Sequence, residues 1–372
     1  MKISVVGAGN AGCLTALHYA YYGNGTIEVE LKYDPTVLPE KVGQGTLLDA
    51  PKLLWLALGS DWYSNSIDAT PKTGILYEGW GKVNEKFIHS FPLNSLALHY
   101  SPKKLQDTIL SSGLFKVTED SIVNIEDVDA DYVFDCRGKP KSLDDYEELK
   151  SPVNAAILAM KDGVDAGQYW TRSVATPDGW AFVIPNTTNT TSYGYIYNKN
   201  ISTKDEATKN FESIFDVEAK DYLYFSNYVA KNPVVDGRII LNGNRLFFLE
   251  PLEASAIQSY SQWVKNTCDV ILYQKFGWGH ASALIKEYIH QIENFILWHY
   301  QFGSKHDTKF WDYAKSLKVV DDRFDDFLSV AISSSWPEVR NIFYDASSPN
   351  SGYGQWLAWN FKNWYEGVTK CQ

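Results

Sequence analysis

The chain has little that points to a metal, a membrane or a nucleic acid. Its four cysteines, Cys13, Cys136, Cys268 and Cys371, stand far apart. They lack the paired spacing of a zinc site or redox dithiol and read as buried or free thiols. The seven histidines include no HExxH-type pair for a metal. No apolar run approaches the roughly twenty residues of a spanning helix, and a strand pattern begins at Ile3, so neither a membrane segment nor a signal peptide is expected, and the expected location is cytoplasmic. A formal charge of -11 without a Lys/Arg cluster argues against a nucleic-acid partner. What the chain does have is 372 residues, 45% hydrophobic and 15% aromatic, enough to bury a large core of two or three layers.

The densest local signal is Gly7-Ala8-Gly9-Asn10-Ala11-Gly12, between the apolar strand Ile3 to Val6 and an apolar helix beginning near Cys13. Each glycine has a separate job: a tight turn, close approach of backbone amides to a pyrophosphate, and close packing of helix on strand. A second strand, Ile27 to Leu31, ends near Asp34, where an acid would hold a ribose hydroxyl. The motif alone leaves NAD, NADP and FAD open.

Further along, a short helix is expected at Leu53 to Leu58 and strands at Thr73 to Tyr77 and Lys86 to Phe91, followed by a helix over Pro102 to Ser111. Tyr132 to Asp135 reads as a buried parallel strand ending in Cys136-Arg137-Gly138. Several strand patterns fill Val153 to Tyr197, and Arg238 to Gly243 returns the chain to the first sheet. After about Ser259 the pattern is helical, with apolar residues at three- and four-residue intervals from Ile285 to Tyr300. For the aromatic residues from Phe343 to Trp364, packing in the core is the default reading, ahead of a pocket wall or a partner surface.

Three stretches beyond the glycine turn agree with one family. Gly179-Trp180-Ala181-Phe182-Val183-Ile184-Pro185 resembles the Trp-x-Trp-x-Ile-Pro signature of flavin-dependent tryptophan halogenases. Gly243 to Pro251 followed by Leu252-Glu253-Ala254-Ser255-Ala256-Ile257 is similar to the family stretch ending in Pro-Leu-Glu-Ser-Thr-Gly. Phe295 to Tyr300 with Asp307 to Trp311 looks like the family's helix and following turn. The resemblance covers roughly residues 1 to 315.

It implies an α/β fold with a Rossmann-like FAD-binding domain of the flavin monooxygenase type (residues 1–60, 100–150 and 225–258). To this are added a β-rich substrate region (61–99 and 151–224) and a helical C-terminal region (259–372). FAD, received reduced as FADH2 from a separate flavin reductase, would react with oxygen and yield hypohalous acid from a halide; this would halogenate a small aromatic substrate at a second site. Cofactor contacts would come from Gly7, Gly9, Asn10, Ala11, Gly12, Asp34, Gly45, Trp180 and Gly243. Lys72 matches the family lysine that positions the oxidised halogen, and Glu253 the glutamate at the substrate end. The halide would sit near Ser255 and Ala256, and His89 with Phe91 would line the aromatic pocket. A homodimer is compatible with the resemblance.

An ammonium in a dry channel polarises hypohalous acid or captures its halogen, and a neighbouring carboxylate accepts the ring proton. Read by residue type alone, Lys72 is a solvated loop lysine, Glu253 a helix-start acid beside a capping Ser255, His89 a structural histidine, and Trp180 with Phe182 core packing. The chain departs from the family at Phe182, where a second tryptophan is usual, and at Thr46, after Val42-Gly43-Gln44-Gly45, where an acid is usual. Ala254, Ser255 and Ala256 replace serine, threonine and glycine, and the C-terminal region is shortened, suggesting a more open pocket and a substrate other than free tryptophan. A flavin monooxygenase that hydroxylates its substrate and a noncatalytic flavin-binding protein remain alternatives.

Overall fold

A computed structural model describes residues 1–40, 43–60, 66–91, 96–163, 168–186, 189–339 and 352–371. Val42 of the turn before Thr46, and residues 343–351 of the aromatic C-terminal stretch, lie outside them.

The first layer is a six-stranded sheet whose centre is Lys2–Val6. Glu28–Tyr33 and then Lys116–Glu119 lie parallel on one side; Tyr132–Asp135 and then Ile239–Leu241 lie parallel on the other. Val234–Val235 closes the second edge antiparallel. Successive strands thus leave the centre in opposite directions, which opens a crevice at the carboxyl end of Lys2–Val6 where open α/β sheets bind ligands. The expected strand at Tyr132–Asp135 and the returning strand after Arg238 both occupy this sheet.

Helix Asn10–Gly23 starts directly from the glycine turn and is buried almost all round. A Cβ on Gly12 would lie 1.8 Å from the Gly7 carbonyl oxygen, and one on Gly7, at φ +107°, 2.5 Å from the Cys136 oxygen. These two positions therefore need glycine for the contact of helix with strand.

The second layer is a seven-stranded sheet in the order Asp221–Tyr224, Ala155–Asp162, Thr190–Tyr197, Gly179–Asn186, Thr171–Thr176, Gly74–Glu78, Lys86–Ser90. It is antiparallel except where Thr171–Thr176 pairs with Gly74–Glu78. A small sheet of Gln44–Gly45, Ala97–Tyr100 and Thr70–Lys72 joins the layers. Helices Ser255–Ile271, Trp278–Gln301, Lys309–Ser316, Asp322–Ser333 and Ala358–Thr369 follow. Between the last two, a hairpin pairs Gly352–Tyr353 with Trp356–Leu357, an element absent from the helical reading of this region.

Most expected elements occur with shifted ends: the short helix runs Asp49–Leu58 and the long one Trp278–Gln301. The largest buried side chains include Trp80, Trp180, Trp263, Trp311, Trp364, Tyr77 and Tyr300. Among the described residues, no helix is long and apolar enough to cross a membrane.

Candidate active site

A cavity of about 600 Å³ lies between the two layers. Gly9, Asn10 and Ala11 line one end, at the start of helix Asn10–Gly23; no side chain caps this helix, so its first-turn N–H groups remain available to an anion. A Cβ on Gly9 would meet nothing within 4 Å, leaving the backbone approachable. Gly45, Trp180 and Gly243 also line the cavity. A largely apolar cavity with uncapped helix-start amides at one end fits a dinucleotide-sized group. Asp34 is not among the lining residues. One of its oxygens accepts from Thr36 N and Oγ1 at 2.9 and 2.6 Å, the other from Ser121 Oγ at 2.6 Å. Glu40, 3.5 Å from Asn10 Nδ2, lines the cavity beside the helix start, and Asp221 and Glu253 line it elsewhere.

The far wall is a strap, residues 249–254, that continues into helix Ser255–Ile271. Leu249, Pro251, Leu252 and Ala254 face the cavity. Glu253 and Ala254 hold left-handed conformations, φ 67° and 52°, each costing a non-glycine residue about 1–2 kcal/mol. Ala254, not Ser255, is the residue preceding the helix, and it caps nothing with its side chain. Of the expected halide pair, Ala256 lines the cavity and Ser255 is buried outside it.

The strap turns the Glu253 carboxylate into a cage of donors. Its Oε1 accepts from the Tyr77 hydroxyl, lies 2.8 Å from His89 Nδ1 and 3.2 Å from His299 Nε2. Its Oε2 accepts from Trp356 Nε1 at 3.0 Å. Burial alone would raise this carboxyl's pKa, but the His89 and His299 contacts outweigh it and hold the pKa well below the usual range.

His89, His299 and Glu253 place one ligand atom each within 4.8 Å of one another, a spacing a metal ion can use. The protons argue otherwise. Asn360 Oδ1 accepts from Leu357 N, which aims its Nδ2 at His89 Nε2, 3.3 Å away; the His89 proton therefore sits on Nδ1, facing Glu253. His299 spends its Nδ1–H on the Phe295 carbonyl at 2.6 Å. Its second bond, to Glu253, forms only in the imidazolium, which burial disfavours and Glu253 favours.

Lys72, at the end of strand Thr70–Lys72, is fully buried. Its Nζ lies 3.4 Å from the carbonyl of Thr46, 5.5 Å over the Phe91 ring, and 3.2 Å from where a Gly45 Cβ would be. Gly45 thus makes the room that the ammonium occupies. Burial pushes the Lys72 pKa down to about 8, against the pull of Glu253. Thr46, the departure after Gly45, ties the small sheet together: its Oγ1 accepts from Leu98 N at 2.9 Å.

Residue type alone did not flag Glu250. Also on the strap, it accepts from Ser151 Oγ at 2.6 Å, Trp180 Nε1 at 3.0 Å and Tyr300 Oη at 2.5 Å. Burial pushes its pKa up to about 7, the hydrogen bonds opposing. It anchors Trp180 against the cavity. Phe182, two residues on, also lines the cavity, its ring over Gly194, where a Cβ would lie 2.1 Å from it. Tyr77, His299 and Trp356 were likewise assigned no role from the sequence, although His299 stands inside one of the stretches that carry the resemblance.

A glycine turn at the switch point of a layered α/β fold defines a dinucleotide-binding type of protein. Beyond that, the tryptophan halogenase family model matches residues 2–106 and 117–365, and the chain belongs to that family. It is 28% identical to tryptophan 6-halogenase ThaL of Streptomyces albogriseolus over 172 residues, 43% of this chain and 31% of that one. To tryptophan 7-halogenase RebH of Lentzea aerocolonigenes it is 23% identical, covering 86% of this chain and 80% of that one. Among solved structures, tryptophan 6-halogenase SttH from Streptomyces toxytricini superposes with a TM-score of 0.80 at 17% identity, covering 100% and 91% of the two chains. Xcc4156, a flavin-dependent halogenase from Xanthomonas campestris, gives 0.81 at 17%, covering 99% and 88%.

Proposed function

We propose that the protein is an FADH2- and O2-dependent halogenase that oxidises a halide to hypohalous acid and halogenates an aromatic, indole- or phenol-like substrate by electrophilic substitution beside Lys72. The observation that carries this reading is an apolar cleft with the glycine turn at one end and the strap at the other, together with a fully buried lysine that feels the charge of the strap's buried carboxylate.

Reduced FAD in the cleft supplies the oxidising equivalent from oxygen. Gly7, Gly9 and Gly12, with the amides of Asn10 and Ala11, receive the pyrophosphate, and Gly45, Trp180 and Gly243 bound the rest of the cleft. Trp180, pinned through its indole N–H to Glu250, and Phe182 keep an aromatic substrate out of the cleft while leaving room for a small oxidant. The amides at Ser255 and Ala256, at a helix start, favour a halide. Lys72 titrates near pH 8, so both ammonium and amine are populated close to neutrality. The ammonium donates to the oxygen of hypohalous acid, and the amine takes its halogen as the O–X bond breaks, the hydroxide leaving with an N–H proton as water. Glu253, kept ionised, accepts the proton that leaves the ring. Phe91, beside Lys72, and His89, beside Glu253, bound the substrate. A separate flavin reductase supplies FADH2.

The test supplies FADH2, oxygen and chloride, bromide or iodide in turn, and screens aromatic substrates by mass spectrometry. Lys72→Ala is expected to lower halogenated product at least ~1000-fold with FAD binding unchanged. Undiminished product in that variant overturns the mechanism. A halide-independent oxygenated product indicates a monooxygenase instead.

A further inference from the structure

The Glu253 carboxylate has two differently served oxygens. Oε1 faces Tyr77, His89 and His299, whereas Oε2 has one donor among the described residues, Trp356 Nε1 at 3.0 Å. The Trp356 side chain is 3% exposed, and its indole stacks on Phe295 with centroids 4.0 Å apart and planes at 31°. A planar aromatic N–H therefore already sits on the proposed ring-proton acceptor.

The backbone around it is fixed on both sides. Gly354 N donates to Gln291 Oε1 at 2.7 Å, Asn294 Nδ2 to the Tyr353 hydroxyl at 2.8 Å, and Tyr353 itself to Asp321. On the other side Asn360 caps Leu357 N and reaches His89. Trp356 Nε1 is the donor recorded on Oε2 among the described residues, so another aromatic N–H binds that oxygen in its place. Once it leaves, a buried ionised oxygen lacks a donor, which costs more than losing an ordinary hydrogen bond.

We propose that Trp356 is an internal occupant of the acceptor site: its indole holds Glu253 Oε2 when no ligand is present, and aromatic N–H compounds bind by displacing it. The proposal rests on reading Glu253 as part of the substrate site. It makes substrate affinity a competition with the chain's own side chain, so apparent affinity is the intrinsic value reduced by the fraction of open molecules.

The sign of a single substitution separates an occupant from a wall. Removing a ring that forms a pocket wall weakens binding of an aromatic ligand; removing an occupant strengthens it. Calorimetric titration of indole into wild-type protein and Trp356→Ala, without flavin, halide or oxygen, is expected to show at least ~10-fold tighter binding in the variant. N-methylindole, which has no N–H, is expected to bind the variant at least ~10-fold more weakly than indole. Equal or weaker indole binding by Trp356→Ala overturns the proposal, as does equal affinity for the two compounds. If circular dichroism shows that Trp356→Ala does not fold, Trp356→Phe, which keeps a ring and drops the N–H, is expected to bind indole more tightly than wild type, and no gain overturns the proposal. Because no turnover is measured, a protein that binds as expected yet never halogenates refutes only the halogenase reading.

Discussion

Glu250 and Glu253 stand three residues apart on one strap, both buried, and their surroundings drive them in opposite directions. Glu253 is met by two imidazoles, a phenol and an indole; its carboxyl stays ionised far below the usual range. Glu250 has three neutral donors, and burial raises its pKa to about 7. Equal burial thus produces a permanent anion at the proposed substrate end and a titrating acid beside Trp180. The two histidine partners of Glu253 make the difference, not depth.

The sharpest way to break this comparison is Glu253→Ala. It strands the Tyr77, His89 and Trp356 donors in a dry cage, and denaturant unfolding is expected to show a loss of about 3–5 kcal/mol. A loss below ~1 kcal/mol would mean that the cage relaxes or admits water.

Next is the pH dependence of stability. The raised Glu250 pKa means that the folded protein binds this proton more tightly than the unfolded chain. Its contribution is whole below 4.5 and is lost as pH rises towards 7, a difference of about 3 kcal/mol. Glu253, with its pKa lowered, contributes in the opposite sense, losing stability as pH falls below 4.5. Glu250→Gln, which stays neutral and keeps one acceptor, is expected to flatten the decline between pH 4.5 and 7 and to leave the acid limb unchanged. An unaltered slope in thermal unfolding across that window would show that Glu250 does not titrate there.

The smallest expected effect is on the strap that aims the two acids. Ala254→Gly relieves a left-handed alanine and is expected to stabilise the fold by about 0.5–1 kcal/mol, read from the denaturant midpoint. Destabilisation would mean that the alanine methyl packs usefully.

Much of the nucleotide half was legible because its determinants are local. Strand, glycine turn and helix follow one another within residues 2–23, and the clashes a Cβ would make at Gly7 and Gly12 are the physical content of the motif. Asp34 shows the limit of spacing as evidence. An acid stands at the expected distance, yet Thr36, two residues on, draws its carboxylate into a local turn, as Asp-Pro-Thr sequences favour. Glu250 was not legible, since Ser151, Trp180 and Tyr300 approach it from separate elements and only the fold shows that no cation comes with them. The hairpin carrying Trp356 was missed because strands of two residues show no alternation to detect.

The scattered cysteines gain meaning from where they lie. Burial pushes the thiols of Cys13 and Cys268 up to about 12 and raises that of Cys136, on the cleft wall, well above its ordinary value. At neutral pH all three are held as thiols, and the thiolate is the more reactive form towards electrophiles. In a protein proposed to generate hypohalous acid in the cleft that Cys136 lines, that thiol is kept in its less reactive form, and Cys371, the exposed cysteine, is the cysteine expected to oxidise first.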